Sequence, residues 1–257
     1  MEEFFMSLPK DLAERTLAEM VERTGAVEVH GEDGGDYLTL MSPFGPDPVG
    51  KVRVFKSDKV KKIVYAGLTV DKFKMDTHMI FGFTAEDSPL PHFTLDSVNA
   101  NGSLAFHLDL ITKAELSVHV PYMDYVYGGL TDTFNDTIKW EGLSRAQVGP
   151  RQYAMMSPWM LVSRATEPTF RRFSGEDDEQ GRGPVKTYLN YWLDLLDAGV
   201  PDDVAATVNT DEIVAHDHKL RYNLFSPEVD PVWRDVGKIV GEDTAEKMRQ
   251  MLLSNAW

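Results

Sequence analysis

The chain has 257 residues, 42% of them apolar, and a formal net charge of −15, so it can bury a sizeable core and is too acidic to hold nucleic acid by charge alone. It contains no cysteine, which excludes disulfides, thiolate metal ligands and a cysteine-ligated iron–sulfur cluster within this chain. No stretch approaches the roughly 20 apolar residues of a membrane helix, and MEEFFMSLPKDL carries acids where a signal peptide carries Lys or Arg, so one cytoplasmic domain over residues 1–257 is expected.

Residues 8–24, LPKDLAERTLAEMVERT, space Leu8, Leu12, Leu17, Met20 and Val21 along one face of a helix, and Gly25 supplies the stop. GEDGGD at 31–36 is a turn. A strand is predicted around Tyr37 to Met41, then the Pro- and Gly-rich loop SPFGPDPVG, then strands at Lys51 to Phe55 and Lys61 to Leu68. Connections this short make neighbouring strands antiparallel. Between Lys51 and Lys74, eight basic residues stand against two acidic ones, a patch that either guards a sheet edge or docks an acidic partner.

The most informative stretch is 76–112. It predicts a strand at His78 to Phe83, a Pro-punctuated loop, a strand at His92 to Val98, an Asn101-Gly102 turn and a strand at Leu104 to Ile111. Asn and Gly accept the positive φ of a tight hairpin. Alternation sets His92, Thr94, Asp96 and Val98 on one face of their strand, and His107 and Asp109 on one face of the next. Ionisable groups on a half-buried sheet face need a partner or a task. On pattern alone, Asp96 reads first as an edge or hydrogen-bonded structural residue.

Beyond the sheet, a helical stretch begins at Tyr122, and a helix is predicted over Leu130 to Trp140 with Phe134 and Ile138 inward. Arg145, Arg151, Arg164, Arg171 and Arg172 follow without a matching set of acids, and forked arginines suit carboxylate ligands. Pro184 opens a helix with Tyr188, Trp192, Leu195 and Leu196 as its apolar stripe and Gly199 as its stop. Residues 203–225 are predicted as one helix, and a last helix starts near Asp243. His216, Asp217 and His218 are consecutive, so on a helix they point apart, and no metal site is expected. There is no phosphate loop and no nucleophile elbow.

The order of SPLPHFTLDSV at 88–98, HLDLITKAELSVH at 107–119 and AHDHKLR at 215–221, followed by a short terminal helix and MLL, resembles the ferredoxin-dependent bilin reductases. It is most similar to their red chlorophyll catabolite reductase branch. The resemblance covers residues 60 to the C-terminus, thinly between 122 and 199. It implies an α/β/α three-layer sandwich with a central antiparallel sheet, and a linear tetrapyrrole held between the sheet and the C-terminal helices. It implies an oxidoreductase with no bound metal or flavin, taking single electrons from reduced ferredoxin and protons from carboxyl groups.

On that resemblance Asp96, Asp217 and His78 are the catalytic candidates, and His92, His107, His216, His218, Lys219 and Arg221 the substrate-binding ones. Arg164, Arg171 and Arg172 are candidates for the tetrapyrrole propionates, and Lys51, Arg53, Lys56, Lys59, Lys61 and Lys62 for docking ferredoxin. The glutamate that some members carry on the preceding strand has no counterpart at Tyr65, Ala66 or Gly67, which leaves the reduced double bond open. Two alternatives stay open: a non-catalytic tetrapyrrole-binding protein on the same fold, and a cofactor-free hydrolase or isomerase using Asp and His.

Overall fold

In the computed structural model, which describes residues 7–146 and 148–256, nine strands make one antiparallel sheet. They are β1 (Val27–Val29), β2 (Leu38–Met41), β3 (Pro48–Lys56), β4 (Lys62–Val70), β5 (Met75–Phe83), β6 (His92–Ala100), β7 (Ser103–Ile111), β8 (Leu143–Arg145) and β9 (Leu161–Ala165). The order across the sheet is β1-β3-β4-β5-β6-β7-β9-β8, with β2 also pairing β3. Strands β3 to β7 form a meander because each connection is too short for a crossover. The predicted β6–β7 turn has Asn101 at φ 53° and Gly102 at φ 80°, the two positive values a tight hairpin needs.

The helices are α1 (Leu8–Thr24), α2 (Val120–Tyr127), α3 (Thr131–Thr137), α4 (Pro150–Tyr153), α5 (Glu167–Ser174), α6 (Pro184–Ala198), α7 (Asp202–Ala205), α8 (Thr210–Leu224), α9 (Val232–Val240) and α10 (Glu242–Leu253). Helix α1 begins where the Ser7 hydroxyl accepts the Lys10 N–H, and it ends where Gly25 turns left-handed at φ 63°. Its Leu12, Leu17 and Met20 join Trp192 of α6 and Phe170 and Phe173 of α5 against Phe93, Leu95 and Phe106. The buried Trp192 ring lies 5.6 Å from Phe93, and its N–H donates to the Pro91 carbonyl at 2.8 Å, so a large apolar surface is buried without stranding its polar atom. On the other face, Val52, Val64 and Phe81 pack against Leu220, Trp233, Met248 and Leu252 of α8, α9 and α10. The expected α/β/α sandwich is the architecture observed.

The departures from the sequence reading have local causes. Strands β1, β8 and β9 have three to five residues, too few to display a period of two, and β8 and β9 fall in the arginine-rich stretch. The helix predicted over 203–225 is broken, because Asn209 caps α8 by accepting the Asp211 and Glu212 N–H groups. The last helix is preceded by another, α9, which Gly237 and Gly241 disguise. Helix α3 ends at Thr137, so Ile138, expected inward, is exposed. Among the described residues, no helix is long and apolar enough to cross a membrane.

Candidate functional site

Register builds the site. On the β6–β7 ladder Asp96 opposes His107, Thr94 opposes Asp109 and His92 opposes Ile111, and alternation turns all of these toward α8–α10. The result is a polar stripe on an otherwise apolar face. Its two ends differ.

At one end a cavity of about 170 Å3 lies between sheet and cover, walled by Thr94, Asp96 and His107 below and by Phe225, Asp230 and Trp233 above. His107 Nδ1 lies 3.3 Å from Asp96 Oδ2. Asp96 Oδ1, His107 Nε2 and Thr94 Oγ1 are buried and have no hydrogen-bond partner among the described residues. An unpaired buried polar atom costs about 1–3 kcal/mol, and three of them belong to residues that line this one cavity. Burial opposes charge on His107, but the Asp96 hydrogen bond and the charges of Asp96, Asp109 and Asp230 outweigh it and raise the imidazole pKa. Burial and the Asp96 charge push the Asp230 carboxyl up, against its bond from the Val232 N–H. Two acids from opposite layers therefore meet one imidazole. Asp109, wholly buried beside them, accepts the Ser157 N–H at 2.9 Å and its hydroxyl at 2.5 Å; burial raises its pKa.

At the other end no cavity adjoins the stripe and the side chains close on one another, with Asp217 Oδ2 and Arg221 Nη2 left without a hydrogen-bond partner among the described residues. His92 accepts the Thr84 N–H at Nδ1 (3.1 Å) and donates from Nε2 to Asp217 Oδ1 (2.7 Å), which requires the neutral imidazole. Burial and the Lys113 charge push its pKa down to about 4, in agreement with that tautomer. Asp217 Oδ2 lies 3.0 Å from Lys113 Nζ and 3.8 Å from Arg221 Nη1, all three side chains fully buried. Burial opposes the Asp217 charge, yet the His92 bond and the neighbouring charges hold its carboxyl well below the usual carboxylate range. Asp217 is ionised at neutral pH. Burial lowers Arg221 to about 10, so it stays charged; its guanidinium stacks 3.9 Å over Phe83.

The structure brings Asp96, His107 and, unexpectedly, Asp230 to the cavity. It does not bring Asp217, which the sequence paired with Asp96: α8 aims that carboxylate at His92 and Lys113 instead. His78 also lies elsewhere. It opposes Ser97 and Gly67, so it faces α1 on the opposite side of the sheet, bonded to Tyr65 Oη and to an Asp76 that also accepts from Ser7. His216 is half-buried on α8 with Nδ1 unpartnered, and burial lowers its pKa. His218 pairs with Glu86 at the surface, and Lys219 is exposed.

Of the three arginines, Arg164 opposes Ala105, on the cavity face but at its far edge and exposed. Arg171 pairs with Glu167 and Glu176, and Arg172 stacks on Trp140, both on α5 in the opposite layer. The basic patch is likewise divided. Lys62 is buried and donates to the carbonyls of Met251, Ser254 and Ala256; Arg53 is forked onto Glu28, Lys51 lies 3.6 Å from Asp36 and Lys59 pairs with Asp197. Lys56 and Lys61 are exposed. Sequence reasoning missed Lys113 and Asp230. Alternation from His107 through Asp109 and Ile111 extends to Lys113 and could have found it, whereas Asp230, before Pro231, carries no periodic signal.

No protein-family model and no curated protein matches the sequence. Among solved structures, phytochromobilin synthase from tomato, in complex with biliverdin, matches with a TM-score of 0.71 at 17% identity, over 96% of this chain and 82% of that one. The two chains share a fold.

Proposed function

We propose that this protein binds a linear tetrapyrrole between the sheet and α8–α10 and reduces it, with Asp96 and Asp230 as acids from opposite layers and His107 between them. The observation that carries the reading is the set of three buried atoms, on Asp96, His107 and Thr94, without a partner among the described residues, on side chains that line a largely apolar cavity. Pyrrole N–H groups and lactam carbonyls offer donors and acceptors to such atoms on a flat apolar body. The shared fold with a protein solved in complex with biliverdin supports the same ligand class.

Adding an electron to a conjugated tetrapyrrole makes a radical anion that must be protonated before the next electron arrives. Carboxyl groups do this near neutral pH when burial and a neighbouring acid raise their pKa, as at Asp230, and an imidazole whose pKa is raised can restore the proton. Ferredoxin is the proposed donor of single electrons. Its docking would involve the exposed Lys56 and Lys61, and turnover should fall steeply with added salt. The enclosed part of the cavity, about 170 Å3, is smaller than the roughly 300–1,000 Å3 of drug-sized sites, so a pigment would extend through the opening or lift the cover.

The test is to record visible spectra with biliverdin and with red chlorophyll catabolite, then add reduced ferredoxin anaerobically. The expected result is a spectral shift on binding and consumption of one pigment on reduction; consumption of red chlorophyll catabolite alone would place the activity in that branch. No shift with either pigment overturns the proposal. The sealing of Asp217 favours one second reading, a tetrapyrrole-binding protein without chemistry, which predicts a shift on binding and no consumption.

A further inference from the structure

Asp217 is fully buried in the middle of α8 and lines no part of the cavity, yet its partners come from distant parts of the chain and each is itself bonded further on. Through His92 it reaches β6, and through Lys113 the segment after β7; the Lys113 ammonium also donates to the Ala85 and Glu86 carbonyls at 3.2 Å. One turn further along α8, Arg221 donates from Nε to the Leu252 carbonyl at 2.7 Å and from Nη1 to Asn255 Oδ1 at 3.1 Å. Asn255 in turn donates to the Thr84 carbonyl at 2.9 Å and to Glu86 at 3.3 Å. Three distant parts of the chain are thus tied to one face of α8.

That helix carries the cavity. Leu224 at its end, Phe225 after it and Asp230 in the following turn line the cavity wall. The rotation and height of α8 over the sheet therefore decide where the Asp230 carboxyl stands. A buried ion pair is weak evidence for net stability, because desolvation offsets its Coulomb gain, and fixing one arrangement among several is a better-attested use of it.

We propose that Asp217 is a positioning residue: it anchors α8 to the sheet and so holds Asp230 across the cavity from Asp96. No proton leaves Asp217 in this role. The inference rests on the assignment of Asp96 and Asp230 above, but its main readout needs no pigment.

The readout is the titration of His107 in the ligand-free protein, followed by NMR. The charges that chiefly face this imidazole are Asp96 on β6, Asp109 on β7 and Asp230 in the α8–α9 turn, and each raises its pKa. Asp230→Asn can keep the acceptor for the Val232 N–H before α9 and removes the charge; the His107 midpoint should fall. Asp217→Asn should lower the midpoint too, and in the double variant the two shifts should not add, because the anchor acts through Asp230. Asp217→Asn with Lys113→Gln removes the stranded ammonium and serves if the single variant does not fold.

If pigment is turned over, Asp217→Asn should lower kcat by about 10²-fold, the scale of a 1 Å misplacement, with pigment affinity little changed. An unmoved His107 midpoint in folded variants, or additive shifts, overturns the proposal; failure of both variants to fold makes Asp217 structural alone and overturns it as well. Absence of pigment binding sinks the proposed function and leaves the His107 result standing.

Discussion

Two clusters of the same residue types lie on one face of the β6–β7 ladder, with His92 and Asp96 about 13 Å apart along the strand. Around Asp217 the neutral His92 ring, the Lys113 ammonium and the Arg221 guanidinium lie at 2.7–3.8 Å, and every participating side chain is buried. Around Asp96 there is one long contact of 3.3 Å, and three buried atoms lack a hydrogen-bond partner among the described residues; at the other end Asp217 Oδ2 and Arg221 Nη2 also lack one, but the former lies 3.0 Å from the Lys113 ammonium. The Asp217 end is closed by ion pairs and lines no part of the cavity, whereas the Asp96 end faces open space. The difference comes from the cover: α8 carries its own countercharges over His92, while the turn after it leaves open space over Asp96.

The strongest way to break this comparison is to disturb the closed end. Asp217→Asn leaves Lys113 and Arg221 buried without a counterion and should cost about 3–5 kcal/mol of stability in denaturant unfolding. A loss below about 1 kcal/mol would mean that water reaches these groups. Asp96→Asn, at the open end, should change stability little and instead slow pigment reduction by about 10²-fold or more, with a partly reduced species building up in the visible spectrum. If reduction proceeds unchanged, Asp96 is not the donor.

A smaller effect is expected at Thr94. Thr94→Val keeps the shape and removes a buried hydroxyl that has no partner, so the ligand-free protein should gain on the order of 1 kcal/mol while pigment affinity falls. A destabilised variant would reveal a hydrogen bond to that hydroxyl.

The smallest test is the pH dependence, where the two histidines have opposite signs. His92 has its pKa depressed from 6.5 to about 4, so the unfolded chain takes up the proton first and stability falls as pH drops through that window. His107 has its pKa raised, so its contribution is fully present below 6.5 and is lost as pH rises through the folded value. Each slope is at most about 1.4 kcal/mol per pH unit. Denaturation curves for His92→Asn and His107→Asn between pH 4 and 8 should lose the acid and the alkaline slope respectively.

Local structure was legible in the sequence: α1 and α6 from their apolar spacing, the central strands from alternation, the β6–β7 hairpin from Asn-Gly, and a shared face for His92 and Asp96 on one strand and for His107 and Asp109 on the next. Those signals have periods of 3.6 and 2, which a short window of residues contains in full. The layer in which His78 lies depends on strand register, and the Pro-rich loop between β5 and β6 hides it. Whether the acid facing Asp96 is Asp217 or Asp230 depends on how α8 is rotated and where its following turn falls. The first is fixed by pairing with β4 and β6, where His78 opposes Gly67 and Ser97, and the second by packing across the sandwich, through contacts more than 100 positions apart such as His92 with Asp217.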